Sequence, residues 1–316
     1  QPRSRGLGDV YKRQAEPLPP MTQEDLEFER FQIKAVSAIE EELDRILKTR
    51  KQSRIQTIAD MVIRNYGHLD EKINFYQNLR SLEDYVSRHS LNVAILCAMI
   101  THVMNIRREE QYHTVCAALL HDMGKLKKHE DVYFGAPYSR EDAIRNCETQ
   151  EEAYSVIEDA FATEGPAIRR ICQQAAGKQL DLFPEEGKES RYKMLEGSNV
   201  LLVANRYDEI TAMTLQGTAQ SEVKAAQELL EHPEVYDPET VQALLRSINI
   251  LPPGASVELS TGEKALVLRE NKENVLCPTV VSFRDNSILD LALPQNEDIQ
   301  IVDVMKTMDN RYILKK

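Results

Sequence analysis

The sequence has no surplus of positive charge, no neighbouring pair of cysteines and no apolar run long enough to cross a bilayer, and each absence removes a class of function. Asp and Glu number 51 against 39 Lys and Arg, a formal net charge of -12. That balance opposes nonspecific attraction to nucleic acid or to an anionic membrane surface, so neither is expected as a partner. Five cysteines (Cys97, Cys116, Cys147, Cys172 and Cys277) are scattered along the chain. Without a CxxC pair they suggest neither a disulfide framework nor a thiolate zinc site, and a reducing cytoplasm is the expected location. The longest apolar stretch, Leu91 to Met104, is interrupted by Asn92, Thr101 and His102, and it falls short of the roughly 20 residues a membrane helix needs. No signal-peptide pattern opens the sequence, and no repeat or low-complexity tract points to a solenoid or a disordered linker.

What is present is helical periodicity. With 316 residues the chain has enough length for a sizeable core and a second, smaller module. Residues 1–20, with RSRGLGDVYKRQ resembling translated adapter sequence, are read as a non-native or disordered lead-in and set aside. From Thr22, which precedes Asp25 in the form of a capping box, Phe31, Ala35, Ile39, Leu43 and Ile46 recur at three- and four-residue spacing. This predicts a long amphipathic helix in an N-terminal section, 21–80, with a second helix over Ile55 to Tyr66. These N-terminal helices are candidates for pairing two chains. A mainly helical domain is expected over 81–250. Its last helix should start at Asp237, with Pro238 and Glu239 in the first turn, and stop before Leu251-Pro252-Pro253-Gly254. A small antiparallel β module is expected over 251–316, from Val257 and Leu259, a Thr261-Gly262 turn, Ala265 to Leu268, and Val280 to Phe283 before Asp285-Asn286.

The residues that carry chemistry lie in the helical part. Leu82, Val86, His89, Val93, Leu96, Ile100 and Val103 follow a four-three spacing that places His89 on an inward stripe. Taken alone, one imidazole on an apolar face is more often a hydrogen-bonded core residue than a ligand. The next segment weighs toward the ligand: the apolar run from Val115 to Leu120 ends in His121-Asp122-Met123-Gly124-Lys125. Imidazole beside carboxylate suits a divalent transition metal, and the glycine is expected to turn the backbone away and leave coordination positions open. Lys125 is read as a charge-stabilising group, with a solvated surface lysine as the plain alternative.

The segments SLEDYVSRHSLNVAIL, AALLHDMGKL and LLVANRYDEIT resemble, in that order, the first-His, His-Asp and last-ligand helices of HD-superfamily phosphohydrolases. The likeness is greatest to the HD-GYP group, and YDPETVQALLRSINILPPGASVELSTGEKALVL is similar to the segment that follows its core. The resemblance implies a helical bundle holding a divalent ion (Mn, Fe or Mg) and hydrolysis of a phosphodiester, with a nucleotide or cyclic dinucleotide, cyclic di-GMP above all, as substrate. It assigns His89, His121 and Asp122 as metal ligands, and Lys125 with Asp122 to catalysis.

Departures from that pattern are equally specific. Where the resemblance implies a ligating Asp, the chain has Asn205, whose amide oxygen can still ligate but brings no charge. Asp208, one turn on, matches an Asp that the family also has and does not usually use as a ligand. The His-His-Glu and Gly-Tyr-Pro stretches are missing around ICQQAAGKQLDLFP, and Cys147 or its neighbours stand where another His belongs. Tyr85 replaces an additional carboxylate found in some members. A reduced metal site is therefore expected, and the alternative is a degenerate HD domain acting as an interaction module. For the latter, Gln179-Leu180-Asp181-Leu182-Phe183 resembles the pentapeptide that binds the bacterial DNA-polymerase sliding clamp, an extended anchor whose Leu and Phe would fill an apolar pocket. His129 and Glu130 fall in a charged run and read as solvated loop.

Overall fold

The computed structural model describes residues 23–75, 77, 79–127, 139–184, 193–214 and 219–305, with side chains from Arg30 onward. The lead-in, the capping-box residue Thr22 with the Asp25 side chain, and His129 and Glu130 lie outside these.

Helix α1 (Gln23–Thr49) buries Ala35, Ile39, Leu43 and Ile46. It lays this stripe against the helical core, chiefly α3 (Tyr85–Val103). That stripe is spent inside the chain, and among the described side chains of α1 Ile33 is the large apolar one left exposed. Helix α2 (Ile55–Tyr66) has the predicted limits. Its first turn lacks a capping side chain of its own, because Arg54 stands at the N-cap. The buried carboxylate of Glu42 on α1 substitutes, accepting from the backbone N–H groups of Ser53 and Arg54. An acid at the positive end of the helix dipole also ties the two helices together.

Helix α3 is enclosed by α1, α2, α4 (Arg108–Leu120), α7 (Glu196–Thr211) and α9 (Pro238–Ser247). Almost every residue from Tyr85 to Thr101 is buried. A helix covered on all sides has no stripe, which is why the four-three spacing misplaces Leu82: it precedes α3 and is 48 % exposed. After α4 the chain makes a short 3-10 turn over Met123–Lys127. Helices α5 (Arg140–Phe161) and α6 (Gly165–Gln179) follow as an antiparallel pair beside it. Helix α8 (Glu222–Glu231) packs on α7. Capping is as the sequence predicts at α9, where Asp237 accepts from the Thr240 N–H at 2.9 Å. Ser139 and Asp142 form a capping box on α5.

The sheet module consists of β1 (Ser256–Leu259), β2 (Lys264–Arg269), β3 (Thr279–Ser282), β4 (Ile288–Asp290) and β5 (Ile301–Val304) in the order β4-β3-β2-β1-β5, all antiparallel. Val257, Leu259, Ala265, Val267, Val280 and Ile301 form its buried side. Gly262 takes φ +79 in the β1–β2 turn, a backbone state that suits glycine. The architecture is therefore mainly α, a helical bundle with a small C-terminal β module. Among the described residues no helix is long and apolar enough to cross a membrane.

Candidate metal centre

Three helices and one turn converge at the middle of the bundle. Helix α3 contributes His89, the end of α4 contributes His121, the following turn contributes Asp122 and Lys125, and α7 contributes Asn205. One ligand atom each from His89, His121 and Asp122 lies within 4.8 Å of the others. The imidazole Nε2 atoms of His89 and His121 are 3.1 Å apart, and Asn205 Oδ1 sits 2.8 and 2.9 Å from them. Asp122 closes the group, with Oδ2 3.5 Å from His89 and Oδ1 3.7 Å from His121.

The outward nitrogens decide what the inward ones can be. His89 Nδ1–H donates to the Asp208 carboxylate at 2.6 Å, and His121 Nδ1–H donates to the Ala118 carbonyl at 2.8 Å. In the tautomer that keeps its proton there, each ring turns a lone pair inward. Two ring nitrogens, an amide oxygen and a carboxylate then face one another with no hydrogen between them. Such a gathering of acceptors is repulsive by itself and becomes favourable around a cation. Donor atoms around an ion at about 2.1 Å stand roughly 3.0 to 3.4 Å apart in octahedral or tetrahedral arrangements, close to the separations found here. The residues fit a divalent ion.

Electrostatics hold the donors in binding form. Burial pushes the His121 pKa below its ordinary value against the opposing pull of Asp122, favouring the neutral ring. Burial would raise the Asp122 carboxyl, but the ammonium of Lys125 and the two imidazoles outweigh it and hold the group well below the usual carboxylate range. Lys125 Nζ donates to Asp122 Oδ2 at 2.6 Å and is 3 % exposed, which corrects the reading of it as a solvated lysine. Gln150 Nε2 on α5 donates to the other Asp122 oxygen at 3.2 Å.

Behind His89 lies a second polar cluster. Asp208 is fully buried and receives two hydrogen bonds from Arg80, at 2.7 and 2.8 Å, and one each from Gln77 and Asn92. Burial alone would neutralise it, yet Arg80 and His89 hold its pKa far below normal. Asp208 therefore aims His89 and does not replace Asn205 as a donor, the usual outer carboxylate of a metal-bound imidazole. Tyr85 stacks on His89 with ring centroids 5.5 Å apart. Arg80, Gln77 and Asn92 were missed in the sequence, which gives no local sign that the segment before α3 folds across α7.

Gly124 has a different purpose from the one expected. A Cβ there would lie 2.3 Å from the Thr149 carbonyl oxygen, so the glycine admits α5 against the His-Asp turn. A pocket opens beside the centre, lined by Lys125, Asn146, Gln150, Gln179 and Glu209 among others. Cys147 is turned away, with its thiol on the Ala176 carbonyl. The polar side chains that α5 presents are instead its neighbours at 146 and 150. The QLDLF segment is not extended: Gln179 ends α6, Leu180–Leu182 form a 3-10 turn, and Gln179 is buried at the pocket wall, reaching Glu209. Helical continuation satisfies its backbone and leaves no free strand to add to a partner, which removes the geometry that the clamp reading needs.

Residues 86–213 match the family model of the HD domain. Over that stretch the chain is similar to the HD domain. The match spans all five convergent residues, from the His89 helix to the Asn205 helix, and HD domains generally hold divalent metals. No curated protein and no solved structure matches the chain significantly. That similarity to the HD domain supports a likeness to the metal-dependent phosphohydrolases of the HD type, and the HD-GYP subgroup has no counterpart in the match.

Proposed function

We propose that this protein is a metal-dependent phosphoester hydrolase with a reduced, single-metal HD centre acting on a nucleotide-type substrate. The observation that carries the reading is the convergence of two imidazole nitrogens, one carboxylate and one amide oxygen in a buried site whose outer hydrogen bonds aim them at one another. His89, His121, Asp122 and Asn205 would hold the ion. Two imidazoles with a single charge favour Mn²⁺ or Fe²⁺ over Mg²⁺, which prefers oxygen donors. A bound divalent ion supplies Lewis acidity that activates water and neutralises charge on a phosphoryl group.

The chain's own residues supply the rest. Lys125, buried at the pocket wall and held on Asp122, places one ammonium where phosphoryl charge develops or where a leaving oxygen needs a proton. Asn146, Gln150 and Gln179 offer neutral amides to the remainder of the substrate. A cyclic dinucleotide is the substrate favoured by the sequence resemblance, and among the described residues the pocket lining carries one lysine rather than a cluster of cations, which suits a single phosphoester at a time.

The test is turnover of cyclic di-GMP, linear dinucleotides, nucleoside monophosphates and an aryl phosphate with Mn²⁺ or Fe²⁺. Metal-dependent hydrolysis that disappears in Asp122→Ala and falls at least a hundredfold in Lys125→Met is expected. Protein that binds the ion and hydrolyses none of these would leave the HD domain as a metal-loaded interaction module.

A further inference from the structure

The amide of Asn205 has two faces, and only one of them binds a cation. With Oδ1 inward it offers an acceptor to an ion. With the NH₂ inward it would donate to the two histidine lone pairs, which stand at 2.8 and 2.9 Å, and plug the empty site. The contest is decided on the other side of the amide. Glu209, one turn along α7 and 4 % exposed, accepts from Asn205 Nδ2 at 3.2 Å. A carboxylate there accepts and never donates, so the flipped amide would set oxygen against oxygen in a buried place. Glu209 is itself held by Arg206 Nη1 at 3.4 Å and Gln179 Nε2 at 3.5 Å. Helical spacing of four residues puts both side chains on one face of α7.

We propose that Glu209 is a positioning residue that locks the Asn205 amide with its oxygen toward the metal, so that the neutral ligand is usable because a carboxylate stands behind it. The inference rests on the metal-centre reading above. Arg206 and Gln179 keep Glu209 in place, which gives the buried glutamine of the QLDLF segment a role at the site.

Two consequences separate orientation from charge. An aspartate at 205 has no donor face to turn inward, so it should no longer need Glu209. Shortening Glu209 to Asp keeps the charge and withdraws the contact, so it should be harmful wherever Asn205 is present.

The experiment is Mn²⁺ titration by calorimetry on the full chain and on Glu209→Gln and Glu209→Asp, each with Asn205 and with Asn205→Asp, alongside melts of the metal-free proteins. With Asn205, both Glu209 variants should weaken Mn²⁺ binding at least tenfold; with Asn205→Asp, each should change it less than threefold. Equal losses in the two backgrounds would show that Glu209 acts without orienting the amide and overturn the inference while leaving the metal centre intact. A full chain that binds no more Mn²⁺ than His121→Ala would overturn the metal reading and this inference together. If Glu209→Gln does not fold, the Glu209→Asp pair gives the same comparison.

Discussion

Asparagine and aspartate have nearly the same shape, so the side chain at 205 isolates the effect of one charge on the centre. Asn205→Asp sets a carboxylate oxygen where Oδ1 now stands, within 2.9 Å of both imidazole Nε2 atoms. Mn²⁺ affinity should rise about tenfold or more, on the scale of roughly 1.4 kcal/mol. Without metal the new charge faces Glu209 across the present 3.2 Å contact and stands near Asp122, so the empty variant should melt below the parent. Melts of both proteins with and without Mn²⁺ measure this, and equal metal-induced shifts would mean that residue 205 does not face the ion. Proton linkage adds a second expectation. The folded pKa values of His121, Asp122 and Asp208 are all depressed, so each group favours folding while deprotonated. Their stabilisation is present above the unfolded values, about 6.5 for His and 3.9 for Asp, and is lost as pH falls through the folded ones. The metal-free protein should hold its melting temperature above about pH 7, weaken as pH drops below the unfolded His value, and weaken further below the unfolded Asp value. A melting temperature that rises on acidification from pH 7 to 5 would contradict this assignment.

At the level of elements, close approach and long-range pairing set the site. Gly124→Ala drives a methyl group against the Thr149 backbone carbonyl, which cannot yield as a flexible side chain would. A loss of roughly 1–3 kcal/mol is expected from such overpacking. The displaced turn should also lower Mn²⁺ affinity, because Asp122 and Lys125 ride on it. Calorimetry and chemical denaturation check both parts, and a neutral result would place the contact in a region able to relax. Local elements were readable in the sequence where local chemistry determines them. Helix α2 has its predicted ends, Asp237 caps α9, and the first three strands fall where alternation and turn residues put them. The convergence of His89, His121, Asp122 and Asn205 was approached through resemblance and spacing. What stayed hidden is supplied across space. Arg80 reaches Asp208 from 128 residues away, and Gln150 reaches Asp122 from 28. Glu209 had a signal, its four-residue spacing from Asn205, but nothing in the sequence says that the intervening amide needs orienting. The QLDLF segment misled for the converse reason: its apolar residues suit a docking strand, while in the fold Leu182 packs on the core.

Across the whole molecule, the metal centre lies where α3, α4 and α7 meet, so binding there should be felt by the bundle and not by one loop. The coupling extends outward through packed elements. Helix α7 carries Asn205 and packs on α8, α8 packs on β5, and Gln227 on α8 donates to the Ile301 carbonyl at 2.9 Å. Lys72, in the segment before α3, pairs with Glu270 after β2, a second tie between helices and sheet. An ion that binds the folded state and ignores the unfolded one stabilises by about 2.7 kcal/mol at a hundred times its Kd. At an unfolding entropy of about 2.1 cal/mol/K per residue, a chain of 316 residues gains roughly 1.5 °C per kcal/mol, so saturating Mn²⁺ should raise the melting temperature by about 4 °C. Because the ties join bundle and sheet, the shift should appear in one transition followed by helical and by strand signals alike. The chain has no tryptophan, so circular dichroism and infrared absorption are the probes that separate those signals. Chelator should return the melt to its starting point, and His121→Ala should show no shift at all, since a lost imidazole leaves too few donors to hold the ion. A helical transition that moves with Mn²⁺ while the strand signal stays fixed would mean that the two parts unfold independently, and the stabilisation would then belong to the helical bundle alone.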